Sequence, residues 1–181
     1  MAVSCRVGRT GHGRPEYRRS ATDRIGFGGG CHWCTEGVFQ ALRGVGEVAQ
    51  GFLQSEAPSD AWAEGVIVDF DPAVITLATL ADVHLRTHSA SGLYSPGGRY
   101  RSAIYVFGEH QRDDAVQTIE RFAEESGAPA RTAVLRFTGF RPSDARYANY
   151  YRTDPDRPFC RRYIDPKLDY IRRHFAAVAL P

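Results

Sequence analysis

Apolar positions along this chain recur with two periods, and the switches between them mark out its elements. In "AWAEGVIVDFDP" (61–72), Val66, Val68 and Phe70 alternate with Ile67 and Asp69, the period-two signature of a strand, which Pro72 stops. "VAQGFLQ" (48–54), "YRSAIYVF" (100–107) and "TAVLRFTGF" (132–140) read as further strands, and "RIGFGGG" (24–30) as a short one ending in glycines. Helical spacing takes over in "CHWCTEGVFQALRGVG" (31–46), where Val38, Phe39 and Leu42 share a face and Gly44 and Gly46 act as a stop. It returns in "TLATLADVHLRTH" (76–88), with Leu77, Leu80, Val83 and Leu85 apolar. It appears again in the charged stretch "EHQRDDAVQTIERFAEES" (109–126), closed by Gly127. "SASGLYSPGGR" (89–99) is loop by composition, and "SDARYANYYRT" (143–153) and "PKLDYIRRHFAAV" (166–178) read as helices.

The resulting order is β-α-β-β-α-β followed by α-β-α-α. It predicts an α+β fold: a ferredoxin-like split β-α-β core whose antiparallel or mixed sheet has helices packed against it. With 181 residues, 43% hydrophobic and 12% aromatic, the chain has the length and composition of one globular domain. No apolar run approaches the ~20 residues of a membrane span. The N-terminal stretch has no apolar h-region, so the expectation is a cytoplasmic protein with no membrane association.

Charge is unevenly placed. Residues 1–24 hold six arginines against Glu16 and Asp23, a balance of +4 that leaves the remainder at −2 out of a total of +2. Residues 1–23 therefore read as a disordered basic leader, and 24–181 as a single catalytic domain. The mild acidity of that domain argues against a nucleic-acid partner. Four cysteines in a chain of this length do not make a disulfide scaffold, and Cys5 falls in the leader. Cys31, Cys34 and Cys160 remain, and a C-x-x-C in a reducing compartment points to redox chemistry or metal binding.

The chemistry concentrates in "GGGCHWC" (28–34). Glycines that end a strand and open a helix let the backbone come close to a ligand and aim free N–H groups at it. A thiol there has its thiolate favoured, so Cys31 reads as a nucleophile. Trp33 beside it offers a face that packs a methyl or thioether group.

"GCHWCTEGVF", "AEGVIVDFDP" and "YRSAIYVF", in this order and spacing, make residues 24–175 resemble the A-type peptide methionine sulfoxide reductases. The resemblance implies reduction of methionine S-sulfoxide, free or protein-bound, to methionine. It makes Cys31 the thiol that attacks the sulfoxide sulfur and Glu64 the acid that protonates its oxygen. Trp33 becomes the wall that holds the methyl group, and Tyr100 the hydroxyl that bonds the oxygen. His32 stands in the substrate pocket where the family has Phe, and Ser95 and Arg99 stand where it has Asp and Gln. "GFLQSEAPSDAW" (51–62) offers no counterpart to a second oxygen-binding tyrosine.

Oxygen transfer leaves Cys31 as a sulfenic acid, which a second thiol condenses with. Cys160, in "DRPFCRR", lies near the family's resolving position, with Arg161 and Arg162 beside it to favour its thiolate and a C-terminal segment expected to be mobile. Cys34 is the competitor, one turn along the same helix. The expectation is Cys160, no bound cofactor or metal, and recycling of a monomer by thioredoxin, or by dithiothreitol in vitro. Two rival readings stay open. Cys31, Cys34, His84 and His88 have the spacing of paired zinc ligands, and the C-x-x-C alone is compatible with a thioredoxin-like dithiol oxidoreductase.

Overall fold

The period-two stretches pair with one another in a single six-stranded sheet, seen in a computed structural model that describes residues 22–88 and 98–181. In chain order the strands are β1 (Asp23–Gly28), β2 (Val45–Gln54), β3 (Ala63–Phe70), β4 (Ala103–Val106), β5 (Ala133–Arg136) and β6 (Gly139–Pro142). Their spatial order is β5-β4-β1-β3-β2-β6. β3 is antiparallel to both β1 and β2, so β1 and β2 run parallel with β3 between them, the split arrangement expected. Only the β4–β5 pair is parallel, which makes the sheet mixed.

The alternation along β3 sorts its side chains to two faces. Val66, Val68 and Phe70 join Ile25 and Phe27 of β1 in the main core. Against that face pack α1 (His32–Gln40), α2 (Leu77–Thr87) and α3 (Glu109–Ser126). They contribute Val38 and Phe39, Leu80 and Val83, and Ala115 respectively. Ile67 turns the other way, into a smaller cluster with Leu53, Ala103 and Tyr105. Glu64 is in phase with Val66, so the same period places its carboxylate on the helix face, beside the start of α1.

"TAVLRFTGF" is two strands rather than one. β5 and β6 lie on opposite edges of the sheet, yet only Phe137 and Thr138 separate them. Three Cα steps of ~3.8 Å reach no more than about 11 Å, so the sheet must curl until its edges approach. The link is held from both sides: the Phe137 N–H donates to Val106 O at 2.9 Å, and the Thr138 N–H to Gln54 O at 3.0 Å. Phe137 and Phe140 cover the smaller cluster inside the curl.

"SDARYANYYRT" also departs from a continuous helix. A 3-10 turn (Ala145–Tyr147) and the one-turn α4 (Tyr150–Thr153) are separated by Ala148 and by Asn149 at φ 56, a left-handed conformation that Asn tolerates. The C-terminal helix α5 (Asp165–His174) is preceded by a π-helical turn, Cys160–Ile164. Residues 1–21, with Cys5 and nearly all of the expected leader, lie outside the described residues, as does Ser95. Asp23 is already paired in β1. Among the described residues no helix is long and apolar enough to cross a membrane.

Candidate active site

The glycine run does what a close-packed turn requires. Gly30 has φ +80, which disfavours any side chain, and a Cβ on Gly29 would sit 2.6 Å from the His88 ring. The turn delivers Cys31 as the N-cap of α1, half-buried, with the helix N-terminus behind it. Its thiol is lowered to about 7, chiefly because the Cys34 thiol donates a hydrogen bond to it. The backbone N–H groups of Trp33 and Cys34 act in the same direction, while burial and the nearby Glu64 oppose them. That donation and burial push the Cys34 thiol up.

Cys31, His32, Trp33, Glu64 and Tyr100 line one cavity of about 700 Å³, together with Phe52, Arg99, Tyr147 and Phe159. Five predicted site residues, spread over 70 positions of sequence, thus meet in one place. Glu64 is buried. Its Oε1 accepts from Nε and Nη2 of Arg99, both at 2.7 Å, and its Oε2 faces the His32 backbone N–H at 3.4 Å. The His32 ring is buried as well. Its Nδ1 lies 3.2 Å from Gly51 O and 3.6 Å from Glu64, and burial pushes the imidazole down, against protonation.

Trp33 stacks face to face on Tyr150 at 4.2 Å, with Phe159 edge-on at 5.5 Å and Tyr147 at 5.6 Å. The result is an aromatic box beside the thiol. Tyr100 stands at its mouth, 58% exposed. Tyr147, from the 3-10 turn, supplies a second tyrosine that the sequence reading did not find; the only local signal is the aromatic run in "RYANYY". Glu36 was also missed. Its buried carboxylate accepts from the N–H groups of Asn149 (2.8 Å) and Tyr150 (2.9 Å) and from Gln50 Nε2 (3.1 Å), tying α4 to α1.

Cys160, expected in a mobile segment, is buried near Cys34. It has 0% exposure, and its turn is docked against α1 and runs directly into α5. The expected mobile segment is therefore packed, because Cys160 and Ile164 are part of the main core. Nor do its flanking arginines favour a thiolate. Arg161 pairs with Asp156 and Arg162 lies over Tyr163, so burial prevails and pushes the thiol up, with Arg157 as the opposing cation.

A second cavity, of about 260 Å³, opens on the other side of Cys31, lined by Cys34, His84, His88 and Lys167. The Lys167 amine, pushed down by burial, donates to Thr87 O and is within electrostatic reach of both Cys34 and Cys31. His84 bonds Gly28 O at 3.0 Å, and His88 bonds His84 O and Ser102 Oγ, each at 2.6 Å. The two rings stack at 4.1 Å. Among the described residues no group of three or more His, Cys, Asp or Glu is placed to hold a metal. The thioredoxin-like alternative fails on topology, since β2 and β3 follow α1 without an intervening helix.

Comparison with known proteins identifies the family of the chain. The family model described as peptide methionine sulfoxide reductase matches residues 23–178. A peptide methionine sulfoxide reductase MsrA of Thermus thermophilus is 33% identical over 84% of this chain and 95% of its own length. One of Deinococcus radiodurans is 31% identical over 86% and 84%. Among solved structures, the reduced form of Saccharomyces cerevisiae Mxr1 superposes with a TM-score of 0.68 at 20% identity, covering 80% of this chain and 92% of that one. Methionine sulfoxide reductase A of Corynebacterium diphtheriae has a TM-score of 0.58 at 22% identity, covering 79% and 77%. Mxr1 in complex with Trx2 has 0.56 at 21%, covering 75% and 88%. The chain belongs to the peptide methionine sulfoxide reductase family of the MsrA type, a family of oxidoreductases.

Proposed function

We propose that this chain reduces methionine S-sulfoxide to methionine by thiol chemistry at Cys31, with the epimer taken from the family resemblance. The observation that carries the reading is the single cavity that holds a thiol lowered to about 7, a buried carboxylate and the face of Trp33. The substrate methyl packs against Trp33 and the sulfoxide oxygen points toward Glu64 and the tyrosines. The Cys31 thiol passes its proton to Glu64, and the thiolate attacks the sulfur while Glu64 delivers that proton to the oxygen. The substrate sulfur gains two electrons and leaves as the thioether, and Cys31 retains the oxygen as a sulfenic acid.

Cys34 is the better-placed partner for the next step, since its thiol already bonds Cys31 whereas Cys160 is enclosed in the core. Its sulfur attacks Cys31, an S–S bond forms, the S–O bond breaks and water leaves. A dithiol protein of the thioredoxin type then returns two electrons. The crystallised complex of Mxr1 with Trx2, a protein of similar fold, supports that choice of donor.

The test uses reduced protein and one equivalent of methionine S-sulfoxide. Cys31→Ser should yield no methionine. Cys34→Ser should yield about one equivalent and keep a sulfenic acid that a dimedone probe traps. Peptide mapping of the wild type should find Cys31 joined to Cys34. Substantial turnover by Cys31→Ser removes the assignment, and a Cys31–Cys160 bridge restores the expectation drawn from sequence.

A further inference from the structure

Arg99 has no task in the chemistry above, although it stands at the mouth of the catalytic cavity. Its side chain is 64% exposed, lying 5.9 Å over the Phe52 ring and 5.7 Å over Tyr100. A guanidinium is a fork of five N–H donors shaped to meet both oxygens of a carboxylate. Here Nε and Nη2 converge on one oxygen of Glu64, because the other is turned to His32. Two further arginines lie over rings that line the same cavity. Arg141 lies 5.0 Å over Phe52, and Arg146 lies 4.8 Å over Tyr147 while pairing with Asp144 at 3.2 Å. Three guanidinium groups thus face two carboxylates, and among the described residues Arg141 has no ion-pair partner. The mouth is electropositive.

We propose that Arg99 binds a carboxylate carried by the substrate beside its sulfoxide, so that the enzyme selects negatively charged methionine sulfoxide units. Such a charge is the α-carboxylate of a free or C-terminal residue, or an acidic side chain next in a peptide. The inference rests on the reductase reading and names its substrate class. The pair joins an exposed guanidinium to a buried carboxylate, so its exchange for an incoming carboxylate goes with transfer of the Cys31 proton to Glu64, which would otherwise stay charged and unpaired. The exchange has a second effect. When the fork leaves Oε1, that oxygen is free to turn to the sulfoxide, whereas a substrate without a carboxylate leaves Glu64 clamped. Binding and activation then depend on the same side chain, with no covalent change at Arg99.

Steady-state kinetics with dithiothreitol on two substrate pairs tests this. One pair is N-acetylmethionine S-sulfoxide and its primary amide. The other is a pair of pentapeptide amides with Glu or Gln directly after the oxidised methionine. The charged member of at least one pair should have kcat/KM about tenfold higher, through both KM and kcat, as one charge-assisted fork is worth. The first pair identifies an α-carboxylate as the source, the second an acidic side chain. Arg99→Gln should bring the ratio below about two and Arg99→Lys should keep part of it, since a point charge lacks the fork. Raising the salt on the wild type should shrink the ratio without any mutation. Ratios near one in both pairs, or a preference that survives Arg99→Gln, overturn the assignment to Arg99. Failure of the wild type to turn over any of the four substrates would instead refute the reductase reading on which it rests.

Discussion

Cys34 tunes Cys31 by giving it a hydrogen bond, and that bond has a measurable signature. With the Cys31 thiol at about 7, its alkylation by iodoacetamide should rise about tenfold per pH unit below neutrality and level off above it. Cys34→Ala removes the largest lowering influence, so the midpoint should move upward; an unmoved midpoint would leave the helix N-terminus as the sole cause. Cys31 and Trp33 were legible in the sequence because turn, nucleophile and aromatic face are contiguous. Glu64 was legible only through the family resemblance. By itself it is one carboxylate on a strand, and its ion-pair partner Arg99 is 35 residues away. Lys167 carries no local signal of a role and Tyr147 only the aromatic run around it, because the fold alone brings them to the two cavities that Cys31 lines.

Among the elements, α4 is the least self-sufficient. Four residues cannot hold a helix in water, and Glu36 supplies what the turn lacks by accepting the N–H groups of Asn149 and Tyr150. Glu36→Ala leaves those two donors without their acceptor, and Gln50 with only Tyr147 O, and should cost about 3 kcal/mol, read as a lower urea midpoint at unchanged slope. It should also raise KM, because Tyr150 is the stacking partner of Trp33. Gly30→Ala tests the turn: strain at φ +80 costs about 1–2 kcal/mol, but it falls on the residue next to the nucleophile, so activity should drop far more than stability. The regular elements were readable because their apolar periods are long, as in Leu77, Leu80 and Val83. "SDARYANYYRT" has no such period, and its break depends on one backbone angle at Asn149 that composition does not specify.

At the scale of the whole molecule, the curled sheet is the feature the sequence conceals most fully. "TAVLRFTGF" is uninterrupted strand by pattern, and the switch of edges at Phe137–Thr138 is imposed by the closing of the sheet. Leu53 lies fully buried inside that curl. Leu53→Ala should therefore cost about 3 kcal/mol, as core truncations do, and the loss should appear in a urea titration followed by tryptophan fluorescence. The same architecture gives Cys31 two approaches, a large cavity past Trp33 and Glu64 and a small one past Cys34 and Lys167. Under the proposed function, one sulfur would take its substrate from one cavity and be reached by the reductant from the other. Methionine, the product, should accordingly compete with the sulfoxide while leaving reduction of the oxidised enzyme by a small dithiol unaffected. In stopped-flow traces, excess methionine should slow the first half-reaction only, so that a crowded cell full of product still keeps the enzyme reduced and ready.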